Sequence, residues 1–285
     1  MKAIGFIDYY LDEWHANNYP AWIQKSPANE GAFKVAYAWG ERKSPGGVTS
    51  ESWCKKNKVS LCASIEEVCE KSSVLIILAP DNAEKHLEYA QKVLPFGKRT
   101  YIDKTFTPTL KEALEIFAIG KKFKTPLCSS SALRFASEIA EYKGNAKSVI
   151  TLGAGPSYAT YAVHQFEIIT KVMGTGAEKI MAVQDGLNIS FVIAYSDGRR
   201  AVYNQLINSI VPFTAGIEAK KAKGVDFRPV TSDFFKSFVD ALLRFFETGK
   251  PLADKKETLS IIALIEAGDK ALKKTGRWVK VEAVS

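Results

Sequence analysis

The sequence has no apolar stretch long enough to cross a bilayer. Its longest, residues 74–80, is far short of the ~20 residues that a span needs. Cysteine is scarce and poorly spaced for metal chemistry: Cys54, Cys62 and Cys69 form no Cys-x-x-Cys pair, and Cys128 stands alone. That spacing removes the zinc-ribbon and dithiol classes and fits a reducing compartment. Three histidines in 285 residues leave little for a His-rich centre, and no metal site is expected. Internal repeats and low-complexity linkers are also missing. The start, Met1-Lys2-Ala3-Ile4, leads into a strand-like run rather than a signal peptide, so a soluble, cytoplasmic protein is expected.

What is present is an ordinary globular balance, 46% hydrophobic and 25% charged, which excludes a disordered chain. Thirty-nine basic against thirty-one acidic residues give a net charge of +8. The excess is scattered in small lysine groups, such as 55, 56 and 58 or 220, 221 and 223, rather than gathered in an arm or on one face. Solvated lysines near helix ends account for most of them. No nucleic-acid partner and no membrane are expected; an anionic small molecule fits the charge equally well.

At ~150 residues per domain the length suggests two units. The first half alternates strand and helix patterns. Strand-like runs fall at 2–8, 33–39, 74–78, 99–102 and 126–129, with helical patterns at 12–25, 83–94 and 109–122. Ser50 is placed to cap a short helix, and Ser64-Ile65-Glu66-Glu67 reads as a capping box for another. Val74-Leu75-Ile76-Ile77-Leu78 is apolar on both faces, as a central parallel strand should be. The pattern predicts an α/β, Rossmann-like doubly wound parallel sheet over residues 1–124.

Residues 125–285 change character. A strand at 147–152 and a helix at 158–173 precede long alternating runs at 179–183, 187–195 and 200–207, with a hairpin signal at Ser196-Asp197-Gly198. A strand-like piece at 214–219, two apolar-striped helices and a strand at 278–281 complete an α+β domain with a mainly antiparallel, open-faced sheet. Runs such as Phe191-Val192-Ile193-Ala194-Tyr195 give that sheet an apolar face that needs cover, so a homo-oligomer through it is expected.

In a doubly wound sheet ligands bind outside the carboxyl ends of the strands. That rule selects residues 8–10, 39–41, 79–82 and 103–105. Lys104 ends an apolar strand there, where desolvation would make it a usable proton donor or acceptor; a surface lysine in a salt bridge is the alternative. His164 sits in the helical pattern of the second half, either packed or chemically active. His86 reads as helix surface or helix–sheet packing. The aromatic group Tyr9, Tyr10, Trp14, Tyr19 and Trp22 could stack on a sugar or base, or form core.

Four segments, in order, resemble one known family. Leu78-Ala79-Pro80-Asp81-Asn82 with the downstream His86 is similar to a post-strand Pro-Asn segment followed by His. Gly97-Lys98-Arg99-Thr100-Tyr101-Ile102-Asp103-Lys104-Thr105 is similar to a Gly-Lys-x-Val-x-x-Glu-Lys-Pro stretch. Val163-His164-Gln165-Phe166-Glu167, continued by Gly174, looks like a His-x-x-Asp helix. Phe234 through Gly249-Lys250-Pro251 to the helix around Ile262, Ile265 and Ala267 completes the series. Over nearly its whole length the chain resembles the Gfo/Idh/MocA family of nicotinamide-dependent oxidoreductases.

The resemblance implies hydride transfer on a sugar, inositol or related polyol, with NAD or NADP as cofactor. Lys104 and His164 would be the catalytic polar groups, with Lys104, Thr160, His164 and Glu167 on the substrate. Asp8, Tyr10, Trp39, Ala79, Pro80, Asn82, His86 and Asp103 would meet the cofactor. Several departures stand beside it, among them Trp39-Gly40 where an acid for the ribose is usual and Asp103 in place of the glutamate. The first turn reads Asp8-Tyr9-Tyr10-Leu11-Asp12-Glu13, where a Gly-x-Gly-x-x-Gly loop normally lets backbone amides approach a pyrophosphate. The aspartate usual four residues before the histidine is Thr160, and Thr105 replaces the proline after the lysine. A non-catalytic relative that keeps the fold for ligand binding or assembly is the other reading, and a cofactor held in a shifted pose is a third.

Overall fold

The structure, a computed structural model, describes residues 1–284, the side chain of Asp185 excepted. The chain clusters into two compact units. One holds Met1–Thr107, Lys111–Ser130 and Phe238–Asp254; the other holds Pro108–Leu110, Ser131–Ser237 and the residues from Lys255 on.

The first unit is built on β1 (Lys2–Tyr10), α1 (Trp14–Lys25), β2 (Phe33–Arg42), α2 (Ser50–Asn57), β3 (Ser60–Leu61), α3 (Ile65–Lys71), β4 (Val74–Ile77), α4 (His86–Val93), β5 (Thr100–Ile102), α5 (Leu110–Lys122) and β6 (Leu127–Cys128). All strand pairs are parallel, in the order β3-β2-β1-β4-β5-β6. That is the doubly wound order, with its direction reversing between β1 and β4. Every residue of β4 is buried, which explains why the run is apolar on both faces.

Local signals behave as expected with small displacements. The α2 cap is Thr49 rather than Ser50, its hydroxyl accepting from the Ser52 amide at 3.3 Å. Ser64 caps α3 by accepting from the Glu67 amide, while the Glu67 carboxylate reaches back to Ala63 N instead of the cap's own amide. The helix expected from Ala83 opens as a 3-10 turn, Ala83–Lys85, before α4. Phe238, from the C-terminal quarter, joins this core edge-on to Tyr101 (5.5 Å between centroids) and beside Tyr19 (6.0 Å).

The second unit follows as β7 (Ala146–Gly155), α6 (Tyr158–Met173), β8 (Ala177–Asp185), β9 (Asn188–Tyr195), β10 (Arg200–Ile207), β11 (Thr214–Ala219), β12 (Asp226–Pro229), α7 (Phe234–Thr248), α8 (Lys255–Leu272) and β13 (Trp278–Lys280). Residues 238–254 of this stretch, which include most of α7, group with the first unit. The sheet runs β12-β11-β7-β10-β9-β8-β13, antiparallel except for the β7–β10 pair.

One face of this sheet packs against α6 and α8 through an aromatic layer. Phe166 of α6 stacks on Tyr203 of β10 at 4.9 Å, and Phe191 and Tyr158 close around them. Gly268 on α8 is required here, because a Cβ would meet the Tyr158 hydroxyl at 2.1 Å. The opposite face carries a row in cross-strand register through all seven strands: Phe227, Gly216, Ile150, Val202, Val192, Met181 and Trp278. Phe227, Ile150 and Trp278 on that row are exposed.

Candidate functional site

In the first unit the strand-end residues gather around the point where the sheet order reverses. Asp8, near the end of β1, is wholly buried; its Oδ1 accepts from Ala79 N beyond β4 at 2.9 Å and from Tyr10 N at 3.3 Å. Its other oxygen has no partner. Burial, and after it the nearby Glu13 charge, push the Asp8 carboxyl well above the usual range. Ala79 adopts a left-handed backbone, φ +59°.

The turn after β1 ends in Glu13, the N-cap of α1. Its carboxylate accepts from His15 N at 2.7 Å and also from Ala16 N. His15 then points its Nδ1 at the same carboxylate, 3.2 Å away, and its Nε2 toward Asp103 Oδ2 at 3.7 Å. Burial works against a charge on His15, but Asp103 and Glu13 outweigh it and raise its pKa.

Asp103 closes this network. Its Oδ1 accepts from Tyr101 OH at 2.9 Å and Tyr19 OH at 3.3 Å, and both phenols are pushed up by burial and by this carboxylate. Next in sequence, Lys104 is buried, donates to Pro80 O at 3.2 Å and lies 3.8 Å from the exposed Asp81. The Lys104–Thr105 peptide is cis.

Asp8, Ala79, Pro80, Asp103 and Lys104 therefore come together at the strand ends. Tyr10 ends β1, edge-on to Tyr9 (4.5 Å), whereas Trp39 lies inside β2, which runs on to Arg42 rather than ending at 39, and sits edge-on to Tyr89 (5.9 Å). Asn82 donates to Glu84. His86 is fully buried, Nδ1 2.8 Å from Phe106 O and Nε2 2.5 Å from Leu78 O, so it ties the segments after β4 and β5 together. The aromatic reading of this region passed over His15; the strand-end rule, extended into the first turn of the following helix, would have found it.

The second unit holds the other group. Ser157 caps α6, accepting from Thr160 N, and the Thr160 hydroxyl turns back to it at 2.7 Å. One turn later His164 Nδ1 meets Ser131 Oγ at 2.7 Å, with the Tyr161 and Phe213 rings edge-on to the imidazole. Glu167, a further turn on, accepts from Ser131 N at 3.2 Å and from Arg134 Nη1 at 2.8 Å. Arg134 also grips Glu257 of α8 through Nη2. Lys171 donates to Arg134 O, and burial with the adjacent guanidinium pushes its pKa down to about 8. Ser131 and Arg134, invisible as functional residues in the sequence, come from the 3-10 turn Ala132–Phe135 and its cap.

No family model matches the sequence. Among curated proteins, the uncharacterized oxidoreductase YhhX of Escherichia coli K12 is 35% identical over 63 residues, a match spanning 22% of this chain and only 18% of that protein. Solved structures agree over the full length. Myo-inositol dehydrogenase from Lactobacillus casei, in complex with NAD(H) and myo-inositol, superposes with a TM-score of 0.82 at 9% identity, covering 100% of this chain and 98% of that one. A probable dehydrogenase from Thermotoga maritima gives 0.79 at 14% identity, covering 98% of both chains. The chain has the two-domain fold of these dehydrogenase structures.

In doubly wound nucleotide-binding sheets of this strand order, a dinucleotide's pyrophosphate rests on the amides at the start of the first helix. Those amides are taken here. His15 N and Ala16 N are bound by Glu13, and the buried Asp8 lies behind them. In this conformation the residues present do not fit a phosphate at that terminus.

No helix among the described residues is long and apolar enough to cross a membrane, and no group of three metal-ligating side chains occurs among them.

Proposed function

We propose that the chain is an oxidoreductase acting on a secondary alcohol of a sugar, inositol or related polyol, with NAD or NADP as the hydride acceptor. Residues 1–124 form the cofactor half in this reading and residues 125–285 the substrate half. Asp8, Tyr10, Trp39, Ala79, Pro80, Asn82, His86 and Asp103 belong to the first; Thr160, His164 and Glu167 belong to the second, with Lys104 polarising the substrate hydroxyl. The observation that carries the reading is the His164–Ser131 pair at 2.7 Å. Oxidising an alcohol needs a base for the O–H proton, and an imidazole oriented through Nδ1 is a group suited to that task.

The decisive experiment incubates the purified protein with myo-inositol and a panel of polyols and aldoses, with NAD+ or NADP+, following absorbance of the reduced nicotinamide. Polyol-dependent reduction is expected. Absence of turnover, together with no saturable quenching of tryptophan fluorescence at millimolar cofactor, would sink the reading. It would leave a second one, favoured by Glu13 on the α1 amides: a relative that keeps the fold for ligand binding or assembly without redox chemistry.

The apolar row on the second sheet, exposed at Phe227, Ile150 and Trp278, is assigned to a second copy of the chain, since a two-fold contact would let each copy cover the other's row. Val192→Lys or Val202→Lys at its centre is expected to convert a dimer to monomer in light scattering. A monomeric wild-type protein, or unchanged mass in both variants, contradicts the assignment. The four free cysteines, all buried, suit a cytoplasmic location.

A further inference from the structure

We propose that Glu13 is a built-in occupant of the anion subsite at α1 and the residue that sets ligand specificity there, keeping phosphate off that helix terminus. It concerns the same site as the proposed oxidoreductase reading but fails or stands separately from it.

α1 is twelve residues long, and its first turn follows directly on the carboxyl end of β1, beside the reversal in strand order. Such a terminus attracts an anion because its first amides lack intrahelical partners and the helix dipole favours negative charge. Here the anion is covalently part of the chain. Three nitrogens converge on the Glu13 carboxylate: His15 N at 2.7 Å, Ala16 N, and His15 Nδ1 at 3.2 Å. These are charge-assisted contacts of the kind a phosphate oxygen would make. An entering phosphate has to break them and then lies against a second negative group.

An independent observation points the same way. Asp8 is completely buried next to this turn, and one of its oxygens has no hydrogen-bond partner. The two carboxyl groups are close enough that the charge on Glu13 disfavours ionisation of Asp8. The Glu13 carboxylate repels a diphosphate, whereas it tolerates a neutral or cationic group, and Asp8 brings no positive charge to offset it. His15 is in turn held by the Asp103 carboxylate at 3.7 Å, so Glu13 is braced from behind rather than left as a loose side chain. Serine, threonine, aspartate and asparagine are the usual N-caps. The caps Thr49, Ser64 and Ser157 elsewhere in the chain follow that preference.

The test is a titration of inorganic pyrophosphate, followed by the backbone amide resonances of His15 and Ala16, on wild type, Glu13→Ala and Glu13→Gln. Wild type is expected to show no saturable shift at these amides at millimolar pyrophosphate. Glu13→Ala is expected to show one, with affinity raised about tenfold or more, and Glu13→Gln, which keeps a cap without the charge, is expected to fall between. Saturable shifts at His15 and Ala16 in wild type overturn the proposal. So does an absence of any gain in a folded Glu13→Ala; if that variant fails to fold, Glu13→Gln decides by the same criterion.

A parallel titration with NAD+ separates the two readings. Binding to wild type that leaves the His15 and Ala16 amides unmoved supports both. Binding that moves them keeps the oxidoreductase and removes the Glu13 assignment. No binding of NAD+, with the pyrophosphate pattern as expected, keeps Glu13 and removes the cofactor.

Discussion

Replacing Arg134 by alanine is expected to destabilise the protein by about 3–5 kcal/mol, read as a lowered midpoint in urea unfolding. The guanidinium is 5% exposed and bridges Glu167, at 2% exposed, to Glu257 on α8, at 14%. Two carboxylates were taken out of water to meet the guanidinium, and removing it strips both of their direct ion pair, with the more distant Lys171 charge still acting on them. The Ser131 amide, which Glu167 keeps, is a neutral donor and compensates a charge less well than a guanidinium. Replacing all three side chains by apolar residues of similar size should recover most of the loss, because the desolvation cost disappears along with the attraction. A single-variant cost below about 1 kcal/mol would show that water or a rearranged partner reaches the trio. The same bridge anchors the turn that presents Ser131 to His164, so the variant should lose activity faster than it loses fold.

How much of this was readable in advance differs between fold and site, for a physical reason. The strand β10 was found at its full extent, Arg200–Ile207, because every second residue is buried and the Ser196-Asp197-Gly198 turn fixes the register with Gly198 at φ +85°. β4 was equally plain from its unbroken apolar run. β12, Asp226–Pro229, was missed: Asp226, Arg228 and Pro229 carry no alternation, and the segment is a strand only because β11 offers it a partner. Periodicity reports which side of an element is buried, not what lies against it. Lys104 could be singled out because the strand-end rule is local. His15 comes within reach only when that rule is carried into the first turn of the next helix, and what sets it apart there is Asp103, distant in sequence and next to it in space. The missing glycines after β1 were visible in the sequence, but that Glu13 takes over the amides they would have exposed was not.

His164→Ala is expected to lower kcat for polyol oxidation by about 10²–10⁴-fold, the usual range for removing a positioned acid–base group. Ser131→Ala should have the smaller effect, about tenfold, falling on kcat with little change in KM, because in this reading Ser131 acts by positioning the ring. A hydroxyl suits this task in a particular way. It can accept from Nδ1–H while Nε2 works as base, and it brings no charge, whereas a carboxylate in that role would stabilise the imidazolium. Thr160 lies one turn before His164 on α6, so Thr160→Asp places a carboxylate within reach of the ring. The added charge favours protonated His164, the base form is then lost at higher pH, and the acid limb of the oxidation profile should move toward alkaline pH. Should Ser131→Ala leave kcat untouched while Thr160→Asp shifts the limb, the ring is held by something other than Ser131 but still acts as the base. If His164→Ala retains full turnover, proton removal belongs to another group, and Lys104, buried against Pro80 O in the first unit, is the first to examine.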